Sequence, residues 1–376
     1  MTPHLHLRLL SFLAALPLLA GSVRAQISAG QAFMQGQYVE VGINQCGVYG
    51  GQSAPLGALG PGPLGPWHPN VGTGLGFVAD PDLDGWTTGF PNRCGDYFVP
   101  GSPEESWAIQ VGGPGTTVYK NASLTCASSM IPGAVSGYTD FGTRREVVWE
   151  GAVTGGGLNL GVRQTTIMPV DKLYFVTYVL IRNDGAATVN DIYYGRSVDP
   201  DNEQPTSGSF TTTNTVLEQP PVNDDALVGA TGLDFGCFLG LGARDPDARA
   251  AIGDAGTTFA MTSPYDIWND GPGYSTVLGA TVTQDWSISL AFYIDELLPG
   301  ECVVKSFAYV LDTADLDEAL AATASIPILA DGVFVPDTSF VNYCVGDSVE
   351  LEILGDSTAT WVWTPATGLS IDTGRN

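Results

Sequence analysis

Three short acidic stretches carry residue types that could do chemistry. Asp80-Pro81-Asp82-Leu83-Asp84-Gly85 sets carboxylates at alternate positions and then a glycine, matching the first half of a calcium loop. Alternate carboxylates can converge on one hard cation, and glycine permits the sharp turn that convergence needs. Counting Asp80 as position 1, position 12 is Pro91, where an EF-hand requires Glu, so a complete EF-hand is excluded. The second stretch is Asp199-Pro200-Asp201-Asn202-Glu203. Asp199 and Asp201 join Asp80, Asp82 and Asp84 as candidate calcium ligands, while Asp201 with Glu203 could form the carboxylate pair of a glycosidase. Asp245-Pro246-Asp247 repeats the pattern. An Asp-capped solvated turn accounts for all three equally well, and their recurrence favours a shared turn type.

His68 is the only histidine beyond residue 25, so multi-histidine zinc sites are excluded. No G-x-S-x-G elbow accompanies it, and it reads as a loop histidine. An indole face can stack on the apolar face of a sugar. Trp86, directly after the first acidic loop, and Trp268, between Asp266 and Asp270, are the candidates for such stacking. Core packing is the competing role for each. Asn121-Ala122-Ser123 forms a glycosylation sequon.

The chain of 376 residues has 40 acidic against 14 basic side chains and a formal net charge of −26. That balance excludes a nucleic-acid partner, because phosphate recognition needs clustered Lys and Arg. Hydrophobic residues at 44% and aromatics at 10% suffice for a real core. Residues 1–25 read as a signal peptide: an apolar run from Leu9 to Ala20, then Val23-Arg24-Ala25 close to an A-x-A cleavage site. The run is shorter than a membrane span, and no later segment is long and apolar enough to be one. The expected location is therefore secreted or at the cell surface. Export permits disulfides. The six cysteines allow fifteen pairings, among which Cys46 with Cys94 is preferred because both lie in glycine-rich loops.

These residues must be positioned by strands. Short β-type runs separated by Gly, Pro, Asn and Asp recur at 107–111, 146–153, 158–168, 172–181, 187–194, 257–261, 275–283, 286–294 and 302–311. Asn183-Asp184-Gly185 between two of them predicts a hairpin. One helix is expected at 312–322, with Asp312 as cap, acids in the first turn and strong helix formers behind. The fold class is all-β: a large antiparallel β-sandwich across 26–328, either enlarged or divided into two sub-sandwiches, followed by a partial immunoglobulin-like unit at 329–376.

That last unit carries Cys344-Val345-Gly346-Asp347-Ser348, an alternating strand, and then Trp363-Thr364-Pro365-Ala366-Thr367-Gly368-Leu369-Ser370. It resembles the Ig-like or PKD-like modules of large exported cell-surface proteins of Bacteroidota. The resemblance implies a repeat-rich surface or secreted protein of the gliding-motility and type IX secretion kind, with an Ig-like module of which 331–376 is a part. The expected function is non-catalytic, adhesion or glycan binding on Ig-like stalks, with an extracellular glycan or surface protein as partner. A polysaccharide-active enzyme using Asp201 and Glu203 is the alternative, and a structural spacer is a further one.

Overall fold

The structure is a computed structural model that describes residues 27–50, 61–69, 74–86, 94–100, 104–123, 126, 129–222, 224–254, 263–324, 328–330, 333–335 and 351–353. The leader at 1–25, the strand expected at 257–261 and most of 329–376 lie outside the described residues. Among the described residues no helix is long and apolar enough to cross a membrane.

Two antiparallel sheets form the body. The larger has nine strands in the order β17 (Thr281–Gln284), β12 (Thr212–Glu218), β13 (Asp225–Gly232), β14 (Phe238–Arg244), β19 (Cys302–Val310), β10 (Tyr174–Asn183), β9 (Leu158–Pro169), β8 (Arg144–Gly155) and β7 (Gly133–Asp140). The smaller has six: β16 (Tyr274–Ser275), β15 (Ala248–Gly253), β18 (Ser287–Leu297), β11 (Val189–Val198), β5 (Glu105–Val111) and β6 (Val118–Ala122). A four-stranded sheet of β1 (Ile27–Ser28), β2 (Gln31–Gln35), β3 (Val39–Ile43) and β4 (Phe77–Ala79) joins the same core. Further along the chain, β20 (Ile328–Ala330) pairs with β21 (Val333–Val335) and β22 (Leu351–Ile353).

Two-residue periodicity sorts the side chains between layers. Ile288, Leu290, Phe292 and Ile294 of β18 enter the shared core with Phe175, Val179 and Ile181 of β10. The intervening residues form separate outer layers. Tyr174, Val176 and Tyr178 pack under helix α3 (Leu316–Thr323), and Ala251 and Ala291 pack under helix α2 (Pro264–Trp268). Both sheets are thus buried on two faces where a helix covers them, which explains why their strands read as near-continuous apolar runs. The helix expected at 312–322 is present, as a 3₁₀ turn at Thr313–Asp315 leading into α3; Asp312 caps it by accepting from the Ala314 N–H at 2.7 Å.

Two expectations are corrected. The Asn183-Asp184-Gly185 turn does not close a hairpin: β10 pairs with β9 and β19, while β11 pairs with β5 and β18 in the other sheet. Asn183 spans the crossing, donating its amide to Ala187 O and Leu297 O while its Oδ1 takes the Gly185 N–H. The turn chemistry is local, whereas the pairing is set by the apolar faces on either side. The cysteines pair as Cys46–Cys126 and Cys94–Cys237, not Cys46–Cys94. Non-reducing peptide mapping is expected to recover these two linkages, and a Cys46–Cys94 peptide would contradict the fold.

Between the sheets lies an ion pair with no solvent exposure. Arg196 of β11 donates to both oxygens of Glu105 on β5, and its Nη1 donates to Gln164 Oε1 on β9 at 2.9 Å. Glu105 also accepts the Tyr49 N–H at 2.8 Å and the Tyr309 hydroxyl at 3.1 Å. The guanidinium sits between the Tyr49 and Phe307 rings, 4.6 and 5.1 Å from their centroids. Removing one partner strands a charge in the core, at a cost of about 3–5 kcal/mol. Glu105→Leu and Arg196→Met are each expected to lose that much in chemical denaturation, and the double variant to recover a large part. A double variant as unstable as the sum of the singles would show that the pair is not coupled.

Candidate metal centre

At the end of β11 the chain enters Asp199-Pro200-Asp201-Asn202-Glu203, and its backbone is tied down on every side. Asp199 N–H donates to Glu104 O at 2.9 Å and Asp201 N–H to Tyr97 O at 2.6 Å. Asn202 donates its amide to Ala230 O and Cys237 O at 2.9 and 2.8 Å. Glu203 accepts backbone N–H groups from Asp234, Phe235 and Cys237 at 2.8–2.9 Å. A short helix, α1 (Gln204–Ser207), follows. Gly232 is required here, because the Glu203 carboxylate lies where any β-carbon on that residue would stand.

This anchoring aims two carboxylates inward. Asp199 is 7% exposed and Asp201 1% exposed, and Asp285, from the connection between β17 and β18, completes a trio. One carboxylate oxygen from each of the three lies within 4.8 Å of the others. The Oδ1 atoms of Asp199, Asp201 and Asp285 have no hydrogen-bond partner. Burial pushes the Asp201 carboxyl far above the ordinary range, and the negative charges of Asp199, Asp285 and Asp96 push it further. Asp199 is raised first by burial, then by Asp285 and Glu104. Asp285 is also raised by burial. No Lys or Arg among the described residues counters either Asp199 or Asp201. Three carboxyls thus converge, within the field of Asp96 and Glu104, with little positive charge, which is costly unless protons or a cation supply it.

Asp96 and Glu104 flank the trio. Burial pushes Asp96 up to about 7, against opposing backbone N–H groups from Gly76, Phe98, Val99 and Phe77. Burial takes Glu104 up to about 6, with Lys120 pulling the other way. Each therefore holds a proton in the folded chain at a pH where the unfolded chain has released it. Without a cation, stability is fully present below the ordinary carboxylate range and is lost as pH rises through about 6 and then about 7. In EDTA the melting temperature is expected to be lower at pH 8 than at pH 5; a rise over that interval would contradict the arrangement.

The other proposed site residues fall elsewhere. Asp80 turns inward, and its Oδ2 accepts the Gly85 and Trp86 N–H groups at 2.8 and 3.0 Å. Asp80, Asp82 and Asp84 do not form a converging carboxylate group; among the described residues only Asp199, Asp201 and Asp285 do. The first acidic loop is thus an Asp-capped turn. Asp245 and Asp247 both accept from Lys305 Nζ, at 2.9 and 3.3 Å. Both Glu203 oxygens are committed to backbone N–H groups, so Asp201 and Glu203 do not face a common space as an acid–base pair. Trp86 stacks on His68, and Trp268 lies under the Arg249 guanidinium at 4.9 Å while its indole N–H donates to Asp247 O. Sequence reasoning missed Asp285, Asp96 and Glu104, which stand outside the three acidic stretches and meet the site only through the fold.

Fold and site together define an antiparallel all-β sandwich protein with a carboxylate trio suited to a metal ion. No protein-family model matches the chain, and no curated protein matches it. Among solved structures it is similar to a polysaccharide lyase at 14% identity and TM-score 0.31, over 68% of this chain and 36% of that one. It is likewise similar to the GH36 α-galactosidase AgaA of Geobacillus stearothermophilus at 9% identity and TM-score 0.31, over 78% of this chain and 42% of that one. The chain thus spans well under half the length of either protein.

Proposed function

We propose that this chain is the β-sandwich head of a secreted or cell-surface protein, non-catalytic and serving adhesion or glycan binding, with a structural calcium ion at Asp199, Asp201 and Asp285. The observation that carries the metal reading is the trio itself: two almost fully buried carboxylates with unbonded oxygens, meeting a third within 4.8 Å. An all-oxygen donor set suits a hard cation, and calcium is the hard cation that extracellular modules use at millimolar levels. Bound there, the ion would join the end of β11 to the β17–β18 connection. The acidic surface would keep an exported chain soluble. The short strands β20–β22 fit the start of an Ig-like stalk module of the Bacteroidota surface-protein kind. The alternative, a polysaccharide-active enzyme built on Asp201 and Glu203, has the commitment of Glu203 to the backbone against it.

Calcium-dependent melting tests the reading. Saturating calcium at pH 7.5 should raise the melting temperature over the EDTA value by about 3–8 °C. Asp201→Asn should abolish that response and yet melt higher than the wild type in EDTA, because the amide is neutral without the proton that folding must otherwise place on this carboxyl at pH 7.5. Equal melting in EDTA and calcium would remove the metal from the proposal.

A further inference from the structure

A second site lies away from the acidic trio, where the turn after β2 meets residues 61–69 and 82–86. These segments enclose a groove of about 520 Å³ that His68, Trp86, Gln37, Tyr38, Asp84 and Leu64 help to line. That volume is in the range of small-molecule sites. The groove is held in shape from beneath. Glu40, with no solvent exposure, accepts the His68 backbone N–H at 2.7 Å and pairs with His68 Nδ1 at 2.9 Å. Gln35 Nε2 donates to the same carboxylate and to Pro66 O, while its Oε1 takes the Leu64 N–H.

The opposite wall is built at a conformational cost. Leu83 and Trp86 both adopt left-handed backbone, with φ of 56° and 66°. Bulky side chains seldom occupy that region, and such positions persist where the surroundings over-determine them. Here Asp80 supplies the constraint by capping the Gly85 and Trp86 N–H groups, and the indole N–H donates to Gln37 O at 2.8 Å. The result is an indole parallel to the His68 ring, with centroids 4.4 Å apart and planes within 1°. A loop that reads as half a calcium site is instead the mount for one tryptophan.

We propose that this groove binds a neutral saccharide. With Nδ1 engaged by Glu40, the remaining polar atom of the His68 ring is Nε2, an acceptor for a hydroxyl. The Gln37 amide, the Tyr38 phenol and the Asp84 carboxylate add donors and acceptors around the rim, and the partly exposed indole supplies an apolar surface for sugar C–H groups. No Lys or Arg lines the groove, and the two nearest acids disfavour an anionic ligand. The inference rests on the reading of the chain as a glycan-binding head and gives that reading a place.

The test uses the whole chain with calcium present. A glycan array identifies ligands, and titration calorimetry follows with maltohexaose, cellohexaose, xylohexaose, mannohexaose and laminarihexaose. At least one neutral saccharide is expected to bind and to perturb tryptophan emission. Trp86→Ala and His68→Gln should each weaken it at least about tenfold, and the exposed Gln37→Ala, which threatens the fold least, a few-fold. All three variants should keep the calcium-induced melting shift, which reports on the other site. Saccharide binding unchanged in the variants would overturn the groove and leave the glycan reading standing. Binding only of anionic glycans or of peptides would overturn the groove, and no glycan binding at all would overturn both.

Discussion

Arg196 occupies the middle of the sandwich, and the layers around it are arranged so that its charge is answered. Its partner Glu105 sits on the neighbouring strand of the same sheet, yet the remaining donors and acceptors come from Gln164 and Tyr309 of the opposite sheet and from Tyr49. A buried ion pair of this kind contributes little net stability against a well-packed apolar substitute. What it does impose is registration. One sliding step of either sheet would take Gln164 from the guanidinium and Tyr309 from the carboxylate, and the low dielectric makes that penalty steep. Purely apolar contacts, being non-directional, could not discriminate so sharply between neighbouring alignments.

The acidic trio follows the opposite logic within the same fold. Around Arg196 and Glu105 both charges are answered by protein groups, whereas around Asp201 the backbone is satisfied and the carboxylate Oδ1 atoms are not. Segment 199–203 is pinned through Tyr97, Glu104, Ala230 and Cys237, all of which contribute main-chain carbonyls. The Cys94–Cys237 disulfide ties two of the flanking segments to each other. The side chains are therefore held close together without needing to attract one another, which is how a site can be preorganised while its members repel.

The fold was largely legible in the residues. Alternation in runs such as 107–111 and 286–294 marked strands, and Asp312 with the acids behind it marked the helix. The places where that reasoning failed share a cause. Asn183-Asp184-Gly185 has the chemistry of a hairpin turn, but which strands pair depends on faces buried far away. Cysteine pairing and the recruitment of Asp285 depend on the same long-range packing. The candidate site was half legible: Asp199 and Asp201 stood out by composition, while Asp80, Asp82 and Asp84 stood out equally and serve a different purpose. Sequence pattern reveals where carboxylates are dense, and only the fold reveals whether they converge.

Asn121 illustrates how far burial can override a motif. Its side chain is fully enclosed, donating to Cys46 O and Ile131 O and accepting the Ile131 N–H, although it heads an Asn-x-Ser sequon. Yeast or insect secretory pathways attach oligosaccharides to nascent polypeptides, before such a strand can close over its asparagine. A sugar at that position has no room in the finished architecture. Recombinant material made there should emerge as a misfolded, deglycosidase-sensitive product, whereas bacterial periplasm would deliver the native conformer.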